Sequence, residues 1–146
     1  MLHYQLTFEQ YGQHLIDVTL RLYAQPQQQV WLPVWIPGSY LVREFARHLG
    51  RISAVADPEG VASVVAIEKI NKNTWQLACT EPAWVELRYQ VYAFDLSVRG
   101  AYFDHQRIYV NPACVCLAVA GQEQQPVQLG LSVGAAFVGL PLACSL

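Results

Sequence analysis

The chain has 146 residues, 53% hydrophobic and 14% charged, with a formal net charge of −2. Such a length suits one domain that buries a core without disulfides or metal, and so low a charge suggests that part of its surface is normally covered. Its only lysines are Lys69 and Lys72 and it has no basic stripe, which argues against nucleic acid and anionic membrane as partners.

The elements follow in chain order from hydrophobic periodicity. Tyr4, Leu6 and Phe8 alternate, predicting a strand over Tyr4–Phe8. It would pair, through a turn at Gln10–Gln13 marked by Gly12, with a second strand over His14–Tyr23. There Ile16, Val18, Leu20 and Leu22 alternate with Asp17, Thr19 and Arg21. Gln25–Gln29 reads as a loop. Pro37-Gly38 predicts a type II turn with positive φ at Gly38. Leu41, Phe45 and Leu49 fall at i, i+4 and i+8, which predicts a short connector helix over Leu41–Leu49. A strand around Ile52–Val55 follows, then a turn at Asp57-Pro58-Glu59-Gly60. Val61–Ile67 and Thr74–Ala78 predict a hairpin turning at Asn71, Lys72 and Asn73. Val85–Val91, after the Glu81-Pro82 turn, is another alternating strand. Ala113–Ala120 and Pro126–Val133 read as closing strands separated by Gly121–Gln125. The predicted fold class is all-β: an antiparallel β-sandwich with one short connector helix, in a single domain over residues 1–146.

The N-terminus carries no basic or apolar leader. No window reaches the roughly 18 uninterrupted apolar residues of a membrane span. Val127 to Leu146 comes closest, but Gln128, Ser132, three glycines and Pro141 interrupt it. The expected location is therefore the cytoplasm. There Cys79, Cys114, Cys116 and Cys144 are expected as thiols rather than disulfides. Cys114 and Cys116 would share a strand face, where small buried hydrophobes account for them, and no ligand spacing for zinc accompanies them.

Catalytic motifs are missing. None of His3, His14, His48 and His105 forms a His-Glu-x-x-His pair, and no Gly-x-Ser-x-Gly elbow or phosphate loop occurs. Ser39 reads as a turn hydroxyl bonded to nearby backbone. Asp104 with His105 is a remote hydrolase option, poorly placed because adjacent strand residues face opposite ways.

Two clusters stand out. In Trp31–Arg47, the aromatic residues Trp31, Trp35 and Tyr40 could form a flat platform for a peptide or a sugar. The two tryptophans could equally pack one face of a sheet. In Val91–Asp104 a strand runs into a loop holding Asp95, Arg99, Tyr102 and Asp104. An arginine beside carboxylates could hold a substrate carboxylate, or could fix the loop as an internal ion pair.

These clusters carry a family resemblance. Leu-Pro-Val-Trp-Ile-Pro-Gly-Ser-Tyr-Leu-Val-Arg-Glu-Phe-Ala-Arg over Leu32–Arg47 resembles a signature of the N-terminal domain of the glycyl aminopeptidases. Lys69–Trp75, Val91–Arg99 with Ala101 and Asp104, and Tyr109-Val110-Asn111-Pro112 resemble further parts of it, in order, across nearly the whole chain. The resemblance implies a zinc metallopeptidase parent. In it this β domain precedes a thermolysin-like domain bearing the His-Glu-x-x-His zinc site, and often a PDZ domain. Catalytic and PDZ domains are then absent from this chain, which carries no catalytic residue, metal ligand or cofactor, and zinc is expected in the catalytic domain.

The partner implied is the chain's own catalytic domain, with the peptide substrate met indirectly. Arg99, Tyr102 and Asp95 are the substrate-cleft candidates, with Asp95 expected to hold Arg99 and Tyr102 to present its hydroxyl. The alternative is a stand-alone β-sandwich binding module that uses Trp31, Trp35 and Tyr40. The tail from Ser132 departs from the family pattern.

Overall fold

The computed structural model describes residues 1–57 and 59–145. Pro58, in the predicted Asp57–Gly60 turn, and Leu146, at the end of the tail, lie outside the described residues.

The described residues form twelve strands: β1 (Leu2–Gln10), β2 (Leu15–Ala24), β3 (Gln29–Trp31), β4 (Leu49–Ala56), β5 (Ser63–Val65), β6 (Ile67–Asn71), β7 (Thr74–Leu77), β8 (Ala83–Tyr92), β9 (Ala101–Phe103), β10 (Ile108–Val110), β11 (Ala118–Val119) and β12 (Val127–Val133). A six-stranded sheet runs β12-β1-β2-β8-β4-β5, and a four-stranded sheet runs β11-β3-β7-β6. The pair β9–β10 stands apart. This is the all-β sandwich that the alternation predicts.

Period-two patterning decides which face is buried. Leu2, Tyr4, Leu6 and Phe8 of β1 point into the core with Ile16, Val18, Leu20 and Leu22 of β2. Val85, Leu87, Tyr89 and Val91 of β8 join them. The four-stranded sheet answers with Val30, Trp75, Leu77 and Val119. On the outer face of the large sheet, Arg21 and Arg88 converge on Glu86, at 3.2 and 2.6 Å.

Several predicted elements differ. The 113–120 segment is not one strand. It is a 3₁₀ turn over Pro112–Cys114, an irregular stretch and the two residues of β11. The Asn111 side chain caps the turn by accepting from the Ala113 N–H at 3.1 Å. Beyond it, tyrosines from the core face of the large sheet take up part of the backbone. Tyr4 donates to the Leu117 carbonyl at 2.6 Å, and Tyr89 donates to the Val115 carbonyl at 2.9 Å. Cys114 and Cys116 consequently share no strand face.

The second closing strand forms as β12, though not beside the first. After the turn at Gly121, β12 crosses to the far edge of the large sheet and pairs parallel with β1, the one parallel pairing among the described strands. Val61–Ile67 is split, since β5 pairs with β4 in the large sheet and the hairpin is β6–β7.

The connector helix shrinks to a 3₁₀ turn over Phe45–His48. The Arg43 N–H is already committed to the Val34 carbonyl at 2.6 Å, and Glu44 turns left-handed at φ 47°, so helical geometry cannot extend back to Leu41. The Pro37-Gly38 turn forms as predicted: Gly38 has φ 81°, and the Ser39 N–H donates to the Ile36 carbonyl at 3.1 Å. Trp31 lies on β3, but Trp35 lies beyond it and is exposed, so the two do not share a strand face.

Candidate interaction face at the loop end of the sandwich

Strand direction collects the motif loops at one end. β1 ends where β2 begins, with Gln10 opposite Leu15, and Leu15 lies opposite Tyr92 at the end of β8. β4 starts there too, Leu49 facing Val91. The loop before β4 and the loop after β8 therefore leave the same end of the sandwich, and these loops hold the two sequence clusters.

The first loop closes on itself through the bond from Arg43 to Val34, leaving an exposed tip. Tyr40 is 98% exposed and Leu41 is 65% exposed, with Val42 beside them. The loop is nonetheless braced. The Trp35 indole N–H donates to the Ser39 carbonyl. The buried Ser39 hydroxyl donates to the Leu41 carbonyl at 3.1 Å, the turn role expected of it. Glu44 pairs with Lys72 at 2.9 Å, which lowers the Glu44 carboxyl pKa.

In the second loop the Asp95 carboxylate accepts from the Ser97 N–H at 2.9 Å. Gly100 permits this approach, because a Cβ there would collide with the Asp95 side chain. The Tyr109 hydroxyl donates to the Val98 carbonyl at 2.8 Å, and the Cys114 thiol donates to the Arg99 carbonyl at 3.1 Å. Leu96 and Val98 face outward.

The expected Asp95–Arg99 ion pair does not form. Asp95 is engaged with backbone, and among the described residues no carboxylate lies within ion-pair distance of Arg99. The same holds for Arg43, Arg47 and Arg107 at this end. The Tyr102 hydroxyl donates to Asp104 at 2.7 Å. Asp104 also accepts from the Gln106 and Arg107 backbone N–H groups, at 2.7 and 2.9 Å. These bonds, Gln106 first, hold the Asp104 carboxyl down at about 2, while the Tyr102 phenol is pushed up. His105 is exposed and makes no hydrogen bond to Asp104, so that pair is not assembled. No ring contact joins Trp31, Trp35 and Tyr40 among the described residues.

An aromatic ladder here escapes motif reading. His48 meets Tyr92 at 6.2 Å, Tyr92 meets Phe94 at 6.4 Å, and Phe94 stacks on Tyr102 at 5.3 Å. His14 packs on Phe94 at 4.2 Å with its Nδ1 2.7 Å from the Phe103 carbonyl. Burial, then Arg47, lower the His48 pKa, against the pull of Asp95. The signal lay in parity: Tyr92 and Phe94 continue the outward, even-numbered register of β8. The ladder leads to a shallow hollow lined by Leu96, Ser97, Val98, Tyr102, Arg107 and Tyr109.

The two loops meet. The Cys114 thiol, pushed up to about 12 by burial, lies within electrostatic reach of Asp95 from one loop and Arg43 from the other. Among the described residues no group of three or more His, Cys, Asp or Glu side chains could hold a metal ion. No helix among the described residues is long and apolar enough to cross a membrane, which says nothing of β-barrels.

Residues 3–146 match the model of the peptidase M61 N-terminal domain. The chain belongs to the peptidase M61 N-terminal domain family. A crystal structure of an aminopeptidase N family protein from Idiomarina loihiensis is similar to this M61 N-terminal domain, at 39% identity and a TM-score of 0.85. The match covers 94% of this chain and 23% of that one, so the M61 domain spans about a quarter of the length of its structural relative. No curated protein matches it.

Proposed function

We propose that this chain is the non-catalytic N-terminal domain of a zinc aminopeptidase, and that its loop end packs against the catalytic domain and helps shape the peptide cleft. The observation that carries the reading is the convergence of both signature loops at one end. They arrive braced by hydrogen bonds yet expose Tyr40, Leu41, Val42, Leu96 and Val98 beside arginines that have no carboxylate partner among the described residues. Apolar side chains held in place by a rigid scaffold suit a docked face. These guanidinium groups suit acidic groups, or a peptide carboxylate, on the opposite wall.

Zinc belongs, in this reading, to the catalytic domain. It would there polarise the scissile carbonyl and activate water. This chain supplies surface and position only. A reducing compartment such as the cytoplasm suits Cys79, Cys114 and Cys116, which form no disulfide.

Arg99→Ala in the full-length parent tests the reading. A cleft role requires turnover or substrate binding to fall while the melting temperature of this domain, made alone, stays nearly constant. Loss of domain stability in step with activity would assign Arg99 to loop structure instead.

A further inference from the structure

Among the described residues no strand pairs with the outer edge of β12. Natural edges are blunted by charge, proline or bulges, because their free N–H and C=O groups invite another strand. Val127–Val133 reads Val-Gln-Leu-Gly-Leu-Ser-Val, with no charge and no proline, and it pairs with β1 without a register shift. The opposite edge, β5, has only three residues.

The backbone parity of β12 is fixed by its neighbour. The Leu2 N–H donates to the Pro126 carbonyl at 2.9 Å, and the Gly134 N–H donates to the Phe8 carbonyl at 3.0 Å. Even-numbered residues therefore bond to β1. The N–H and C=O groups of Val127, Leu129, Leu131 and Val133 point to the open edge. Their side chains share the core-facing side with Leu2, Tyr4, Leu6 and Phe8, their register partners. Leu129 packs on the core, but Val127 is 59%, Leu131 41% and Val133 42% exposed.

The strand is also nearly a palindrome about Gly130. A two-fold axis through Gly130 sets Val127 opposite Val133, Leu129 opposite Leu131, and Gln128 opposite Ser132. Every outward N–H and C=O then meets its counterpart in an antiparallel ladder, with apolar pairs on the core side and a polar pair outside. Gly130 faces its own copy at the non-bonded position, where backbones approach to about 4.5 Å. A Cβ at Gly130 would already collide with Gln5, whose amide donates to the Ser132 hydroxyl at 2.9 Å.

We infer that β12 is a homodimer edge, and that a second copy of this chain pairs with it antiparallel about Gly130 to continue the sheet across the two-fold. Such an isologous contact closes on itself and leaves neither β12 edge open. The proposal is independent of the peptidase reading.

Sedimentation of the chain over a concentration series tests it, with a species at twice the chain mass expected. V127K/V133K sets like charges opposite each other at both ends of the ladder and should weaken dimerisation about tenfold or more. V127K/V133E sets unlike charges opposite in this register and should retain the dimer. Circular dichroism confirms folding of each variant. Independently of any variant, exchange of the Leu129 and Leu131 amides should slow as concentration rises. A monomer at every concentration, equal behaviour of the two double variants, or concentration-independent exchange at these amides would overturn the proposal.

Discussion

The Tyr102 hydroxyl is bound to the Asp104 carboxylate at 2.7 Å, across the start of the β9–β10 turn. Two backbone N–H groups complete the acceptor's shell, so Asp104 is a structural anion, held at about 2 against an ordinary carboxylate near 3.9. The stability it contributes is present above the unfolded value and is lost as pH falls through about 2. Tyr102→Phe removes one of three donors. An NMR titration should place Asp104 higher than in the parent but still below the ordinary value, because Gln106 and Arg107 remain. An unchanged Asp104 titration would show that the hydroxyl contributes nothing.

Gly38→Ala should destabilise the chain by about 1 kcal/mol. Nothing lies within 4 Å of a Cβ built there, so the cost is the positive φ of 81° and not a clash. Thermal melts of the two proteins decide it, and equal melting temperatures would contradict the turn.

Tyr89→Phe should cost more. The buried hydroxyl donates to the Val115 carbonyl at 2.9 Å and accepts from the Leu117 N–H at 3.1 Å. Its removal leaves two buried backbone groups unsatisfied, an effect of about 2 kcal/mol. Denaturant unfolding of the variant measures it. A midpoint equal to the parent's would mean that the 115–117 segment is held by packing alone.

Cys114 and Cys116 should resist alkylation at pH 8. Burial pushes both thiols up to about 12, so almost no thiolate exists. Mass spectrometry after iodoacetamide should find them modified only once the chain is unfolded. Rapid labelling of the folded chain would show that the 112–117 segment opens readily.

The long strands were legible because Ile16 to Leu22 and Val85 to Val91 face a single core, and period two survives only under that condition. The 113–120 segment was misread for a physical reason. Val115, Leu117 and Val119 are buried in alternation as strand residues would be, but only Ala118–Val119 pairs with β3, while the Val115 carbonyl and the Leu117 N–H and carbonyl bond to the hydroxyls of Tyr89 and Tyr4. Parallel pairing of β12 with β1 is likewise a long-range outcome that no local pattern encodes. At the loop end, the contacts of the motif residues were not legible in the sequence. Asp95 and Arg99 lie close in sequence, yet Asp95 is committed to the Ser97 N–H. The aromatic ladder joins His14, His48, Tyr92, Phe94 and Tyr102, residues that only the strand register brings together.

Hydrogen exchange is the most direct measurement of the docking claim, comparing this chain alone with the full-length parent. If the loop end packs against a catalytic domain, amides around Tyr40–Val42 and Leu96–Val98 should exchange freely in the isolated chain and become protected in the parent. Amides at the ends of the large sheet remote from these loops should be unchanged. Equal exchange at both loops in the two proteins would contradict the account.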